Sequence, residues 1–117
     1  MSEILKEDLD LLKMIRAALE DKKAEDIRIL DIREITTIGD YFVIASGSNA
    51  NQLQAMEDAV DEVMYQNGHH QKSVVGTRAS SWILMDYGNI IVHIFSKEDR
   101  LFYDLDRIWR DGKEVTF

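Results

Sequence analysis

The sequence predicts an α/β fold in one domain spanning residues 1–117: a mixed five-stranded sheet with helices packed mainly on one face. Three observations predict it. Leucines and isoleucines recur at helical spacing near the N-terminus, with a second such stretch after Asn49. Short β-branched apolar runs occur at Tyr41–Ser46 and Ile90–Phe95. A strand, a helix and a further strand follow one another around Gly47, which argues for a β-α-β crossover.

Taken in order, residues 6–23 read as an amphipathic helix, because Leu5, Leu9, Leu12, Ile15 and Leu19 lie on one stripe and Lys22 and Lys23 complement its C-terminal dipole. Ile27–Ile32 reads as a first strand, edge or half-exposed, since Arg28 and Asp31 interrupt its apolar residues. Residues 33–40 form a loop. Tyr41–Ser46 is apolar nearly throughout and short, the pattern of a buried central strand. Gly47-Ser48-Asn49 ends it, and Asn49 with Gln52 three residues on forms a capping box for a second helix. Leu53, Met56, Val60, Val63 and Met64 keep helical spacing up to the stop at Asn67-Gly68. Gln71–Thr77 is a weaker strand. Trp82–Met85 and Ile90–Phe95 flank Asp86-Tyr87-Gly88-Asn89 and read as a hairpin. Ser96 opens a last helix through Leu101, Leu105 and Ile108, and residues 112–117 form a frayed tail.

Composition narrows the function. Twenty-two acids against 14 bases give a formal net charge of −8, unsuited to binding a bare phosphate backbone. Residues 41–71 carry Glu57, Asp58, Asp61 and Glu62 and no Lys or Arg, an acidic face suited to a basic protein. No apolar run approaches the roughly 20 residues of a membrane span, and the alternating Met1–Lys6 stretch is not a signal peptide. The chain has no cysteine, which excludes thiol chemistry and fits a cytoplasmic protein.

Gly47-Ser48, between a buried strand and a helix, invites a phosphate-binding reading and resembles the Gly-Ser start of nucleotidyltransferases. Such enzymes need carboxylates converging on magnesium from strands. Here Asp58, Asp61 and Glu62 fall on a helix, and Asp104 and Asp106 point apart on another. The bland reading of Gly47 is a turn. His69, His70 and His93 do not converge as metal ligands, and His93 reads as a satisfied strand histidine. Neither a cofactor nor a catalytic residue is expected. Strand periodicity puts Trp82, Leu84 and Asp86 on one face and Ile83 and Met85 on the other, with Ile91, His93 and Phe95 opposing Ile90, Val92 and Ile94. If helices cover one face only, something else must cover the other. An exposed Trp82 and Tyr87 beside Arg100 would make a docking patch.

Asp40–Gly47, Trp82–Gly88, Val92–Phe95 and Arg100–Trp109, in that order, resemble the ribosomal silencing factor family, also called the Iojap family, and the likeness runs from about residue 8 to residue 111. The resemblance implies a translation repressor that is not an enzyme. It binds protein number fourteen of the large ribosomal subunit, at the surface facing the small subunit, and so blocks subunit joining. It also implies a nucleotidyltransferase-like core without catalytic carboxylates, little nucleic-acid contact beyond ribosomal RNA, and no membrane. The docking face expected from it comprises Trp82, Leu84, Asp86 and Tyr87 with Arg100 and Tyr103 nearby, and self-association through that face would give a homodimer in the free state. The alternative from another class is a nucleotidyltransferase-like enzyme or nucleotide-binding module centred on Gly47-Ser48.

Overall fold

The leucine stripe of the first helix is where the core starts. In the computed structural model, which describes residues 6–34, 39–71, 73–75, 82–97 and 112–115, helix α1 (Lys6–Asp21) buries Leu11, Leu12, Ile15 and Leu19. Each such side chain contributes about 1.5–3 kcal/mol on leaving water. The helix stops two residues before the sequence suggests, and Lys22 and Lys23 form its cap instead of its last turn. Ala24 N–H donates to Leu19 O at 3.0 Å and Lys23 N–H to Glu20 O at 3.0 Å, the two bonds of a Schellman motif. Lys23 takes the left-handed conformation there, φ 64°, where glycine is usual.

Strand β1 (Glu25–Asp31) begins earlier than its apolar residues indicate and carries a register shift between Glu25 and Arg28, where Asp26 has φ 51°. Strand β2 (Tyr41–Gly47) is buried at every position, as its unbroken apolar pattern requires. Helix α2 (Ala50–Gln66) starts at Asn49, whose Oδ1 accepts the Gln52 N–H at 2.8 Å. It ends in a second Schellman motif, with His69 N–H on Met64 O at 2.8 Å and Gly68 at φ 81°. Strands β3 (Ser73–Val75), β4 (Trp82–Asp86), β5 (Ile90–Ser96) and β6 (Lys113–Glu114) complete the sheet.

The sheet has six strands in the order β3-β4-β5-β2-β1-β6. β2 and β5 pair in parallel, the other neighbours antiparallel, so the sheet is mixed as expected. A parallel pair needs a long crossover, and α2 with β3 and β4 supplies it. The sixth strand corrects the reading of a frayed tail. Lys113 and Glu114 pair with Asp31 and Leu30, Val115 N–H donates to Ile29 O at 2.8 Å, and the Val115 side chain is buried. The short polar segment gave no strand signal because its order comes from β1's open edge. The helix expected after Ser96 lies outside the described residues.

Two apolar clusters divide the sheet by face. The larger joins α1 and α2 to Ile29, Tyr41, Val43, Ala45, Ile83, Met85, Ile90, Val92 and Ile94. The smaller holds Leu30, Ile32, Phe42, Ile44, Ile91 and Phe95, with Leu84 packed against it. Both described helices therefore serve one face. Among the described residues, no helix is long and apolar enough to cross a membrane.

Candidate functional site

The hairpin builds its own geometry from a few turn residues. Gly88 sits at φ 96°, a conformation that penalises any side chain, and Tyr87 N–H donates to Ile90 O at 3.0 Å to close the turn. Asp86 Oδ1 accepts the Gly88 N–H at 2.7 Å, so this carboxylate holds the turn as well as standing on the face. The resulting register sets Trp82 opposite Phe95 and Leu84 opposite His93. Strand alternation then puts Trp82, Leu84 and Asp86 on the face away from α1 and α2, together with Ile91, His93 and Phe95.

On that face Trp82 lies over its neighbours as a plate. Its ring is stacked on Phe95 (centroids 5.3 Å apart, planes 17° apart) and on His93 (6.1 Å, 23°). Its indole N–H donates to His93 Nδ1 at 3.4 Å. Phe42 meets the His93 ring edge-on at 4.7 Å. Trp82 remains 36% exposed while Phe95 beneath it is fully buried. Trp82 and Tyr65 are the exposed large apolar side chains among the described residues, and Tyr65 stands on the solvent side of α2.

His93 departs from the expectation of a satisfied strand histidine. It is 4% exposed, and only one of its ring nitrogens is engaged: Nε2 is buried with no hydrogen-bond partner. Burial among apolar groups pushes its pKa down to about 4, so the ring is neutral at physiological pH. The signal that could have found the pairing is register. A hairpin closed at Tyr87-Gly88-Asn89 fixes Leu84 against His93 and brings Trp82 within diagonal reach of it.

Of the six expected docking residues, the structure brings Trp82, Leu84 and Asp86 to one face. Tyr87 goes elsewhere. It follows the strand, turns under α2, is 5% exposed, and its hydroxyl donates to Asp61 Oδ1 at 3.0 Å. Period-two alternation carried one residue past Asp86 puts Tyr87 with Ile83 and Met85, on the apolar side that α2 covers. Burial, then the neighbouring Asp61 charge, raises its pKa. Arg100 and Tyr103 lie outside the described residues.

The Gly47-Ser48 junction is tied in part by its own side chains. Gln52 Oε1 accepts the Ser48 N–H at 2.6 Å, Asn49 Oδ1 accepts the Gln52 N–H, and Asn49 O accepts the Leu53 N–H at 3.0 Å. Three backbone donors around this junction are thus paired within the chain. The Gln52 amide also donates to Lys22 O and Lys23 O at 3.0 and 2.9 Å, tying the end of α1 to the start of α2. A Cβ at Gly47 would fall 2.9 Å from Leu53 Cδ2, so close packing of α2 on β2 accounts for this glycine. Asp104 and Asp106 lie outside the described residues, and among those described no three His, Asp or Glu side chains group to hold a metal.

The outer surface of the helices is acidic. An open cleft between α1 and α2 is lined by Met14, Ala17, Ala18 and Val63 among others, with Asp21, Asp58 and Glu62 at its sides. Glu57 has a raised pKa, from burial first and from neighbouring Asp58 second.

Known proteins share this sequence pattern and fold. Residues 5–117 match the family described as ribosomal silencing factor during starvation. The chain is 38% identical over 102 residues to the ribosomal silencing factor of Bacillus subtilis, covering 87% of this chain and 86% of that protein. It is 29% identical over 106 residues to mouse mitochondrial assembly of ribosomal large subunit protein 1, covering 87% of this chain and 45% of that one. A crystal structure of a Chromobacterium violaceum protein superposes with a TM-score of 0.83 at 28% identity, covering 93% of this chain and 90% of the other.

Proposed function

This chain belongs to the ribosomal silencing factor family, and on that premise we propose that it binds the large ribosomal subunit through protein number fourteen and blocks joining of the small subunit. The observation that carries the reading is Trp82, more than a third exposed on a stacked aromatic base on the face away from the helices. Large aromatics set in such rigid surroundings are the residues that dominate interfaces. The mouse relative's name, which speaks of large-subunit assembly, points to the same subunit. The net charge of −8 suits a basic ribosomal protein and disfavours a purely RNA contact. Trp82 would be the anchor, Leu84 its apolar flank and Asp86 a carboxylate for a Lys or Arg of the partner, with Arg100 and Tyr103 completing the face. Tyr87 supports the hairpin from behind.

The mechanism is occlusion, so the protein acts in the cytoplasm without turnover and without a cofactor. A nucleotide-binding reading at Gly47-Ser48 is the weaker one, because the Ser48 and Gln52 backbone donors are paired within the chain. The test is binding of Trp82→Ala to isolated large subunits. Loss of such an anchor costs about 2 kcal/mol or more, roughly thirtyfold in affinity. The melting temperature should fall as well, because truncation uncovers Phe95 and removes an indole that is more than half buried, so binding is measured well below it. An affinity within about twofold of the parent chain would sink the assignment of this face.

A further inference from the structure

His93 occupies an awkward place: a ring with two nitrogens in an apolar sheet layer, flanked across the sheet by Leu84 and Ile44 and along its own strand by Ile91 and Phe95. Its Nε2 is buried without a partner, and a buried polar group left unsatisfied costs stability. A phenylalanine would fill the same slot with no such penalty. What the histidine supplies, and a phenylalanine cannot, is an acceptor for the Trp82 indole N–H.

That acceptor solves a problem that stacking leaves open. Stacking alone sets the plane of an indole laid on Phe95 but no position for its N–H edge, and a half-turn about the Cβ–Cγ bond, which swings the six-membered ring to the other side, carries that edge away from His93. The hydrogen bond fixes that edge, since one flip alone brings Nε1–H to His93 Nδ1. The rings of His93 and Phe95 are within 6° of parallel, and the bond to Nδ1 adds a directional contact to the stack on Phe95.

We infer that His93 is the positioning residue of the docking face: its Nδ1 holds the Trp82 indole in a single flip and thereby fixes which edge of the tryptophan meets the large subunit. The inference rests on the docking reading above. Burial keeps the imidazole neutral far below physiological pH, so Nδ1 stays an acceptor whenever the protein is at work. Fixing an exposed, contact-making side chain before binding removes its ordering cost from the association step.

The test uses the full chain with His93→Phe and His93→Asn. Phenylalanine keeps the ring and removes the acceptor; asparagine removes the ring and returns an oxygen close to where Nδ1 stood. Two readouts are followed beside the melting temperature. One is the Trp82 indole N–H in a nitrogen-correlated proton spectrum, assigned by its disappearance in Trp82→Phe. The other is affinity for isolated large subunits. His93→Phe should melt at or above the parent temperature, yet its indole N–H should exchange with solvent roughly fivefold faster, as expected for losing a bond of about 1 kcal/mol. Its affinity should fall by about threefold to tenfold. His93→Asn should recover much of the N–H protection. Unchanged exchange and unchanged affinity in His93→Phe would overturn the inference, even if the asparagine variant fails to fold. Should Trp82→Ala itself bind normally, the docking reading fails, and the exchange arm still decides whether His93 holds the indole.

Discussion

Single side chains decide how this face behaves, and His93 gives the clearest handle. In the unfolded chain a histidine titrates near pH 6.5; here burial lowers it to about 4. Between those values the unfolded state binds more protons, so stability rises with pH across the window and is lost as pH falls from 6.5 towards 4. The contribution is about 3 kcal/mol over the window by the linkage relation. Asp8, raised first by burial and then by Asp40, works in the opposite sense at lower pH. The difference between the parent chain and His93→Phe therefore isolates the histidine. Urea unfolding at pH 4.5 and 7 should show His93→Phe losing much less stability on acidification. Tyr87 gives the complementary case. Tyr87→Phe removes the hydroxyl bond to Asp61, which keeps the Gln71 amide at 2.7 Å. It should cost about 1 kcal/mol in denaturant unfolding and leave large-subunit affinity within about twofold. A large loss of affinity would return Tyr87 to the interface.

At the scale of elements, both helices end in the same Schellman geometry, but one has the usual residue for it and the other does not. Gly68 takes φ 81° freely, whereas Lys23 takes φ 64° with a side chain. Lys23→Gly should raise the free energy of unfolding by about 1 kcal/mol, read as a higher urea midpoint with an unchanged slope. The bonds from the Gln52 amide reach main-chain oxygens and do not need the lysine side chain. The elements also show what sequence patterns can and cannot carry. The α2 boundaries were legible because Asn49 and Gly68 are chemically suited to their caps. The hairpin was legible because two short apolar runs bracket a glycine turn. β6 was not, since Lys113 and Glu114 have no strand preference and take their order from β1. The site divides in the same way. Alternation placed Trp82, Leu84 and Asp86 together, and carried one residue further it sets Tyr87 with Ile83 and Met85 on the helix side, where its hydroxyl meets Asp61. The link from Trp82 to His93 is a cross-strand diagonal, visible only once register is known.

For the whole molecule, the division of labour between the two sheet faces is the central result. α1 and α2 pack on one side and build most of the core, and they present acids outward. The other side carries the exposed tryptophan on a buried aromatic base. At the α2 N-terminus the Ser48 and Gln52 N–H groups are paired within the chain, and Gly47 is held by close packing against Leu53. The measurement that tests occlusion by the tryptophan face most directly is sedimentation of the purified chain with large subunits, with small subunits, and with both under joining conditions, comparing the parent with Trp82→Ala. The parent should pellet with large subunits alone and reduce the yield of joined ribosomes, while Trp82→Ala does neither at the same concentration. Pelleting with neither subunit, or joined ribosomes forming undiminished with the protein bound, would contradict occlusion by this face.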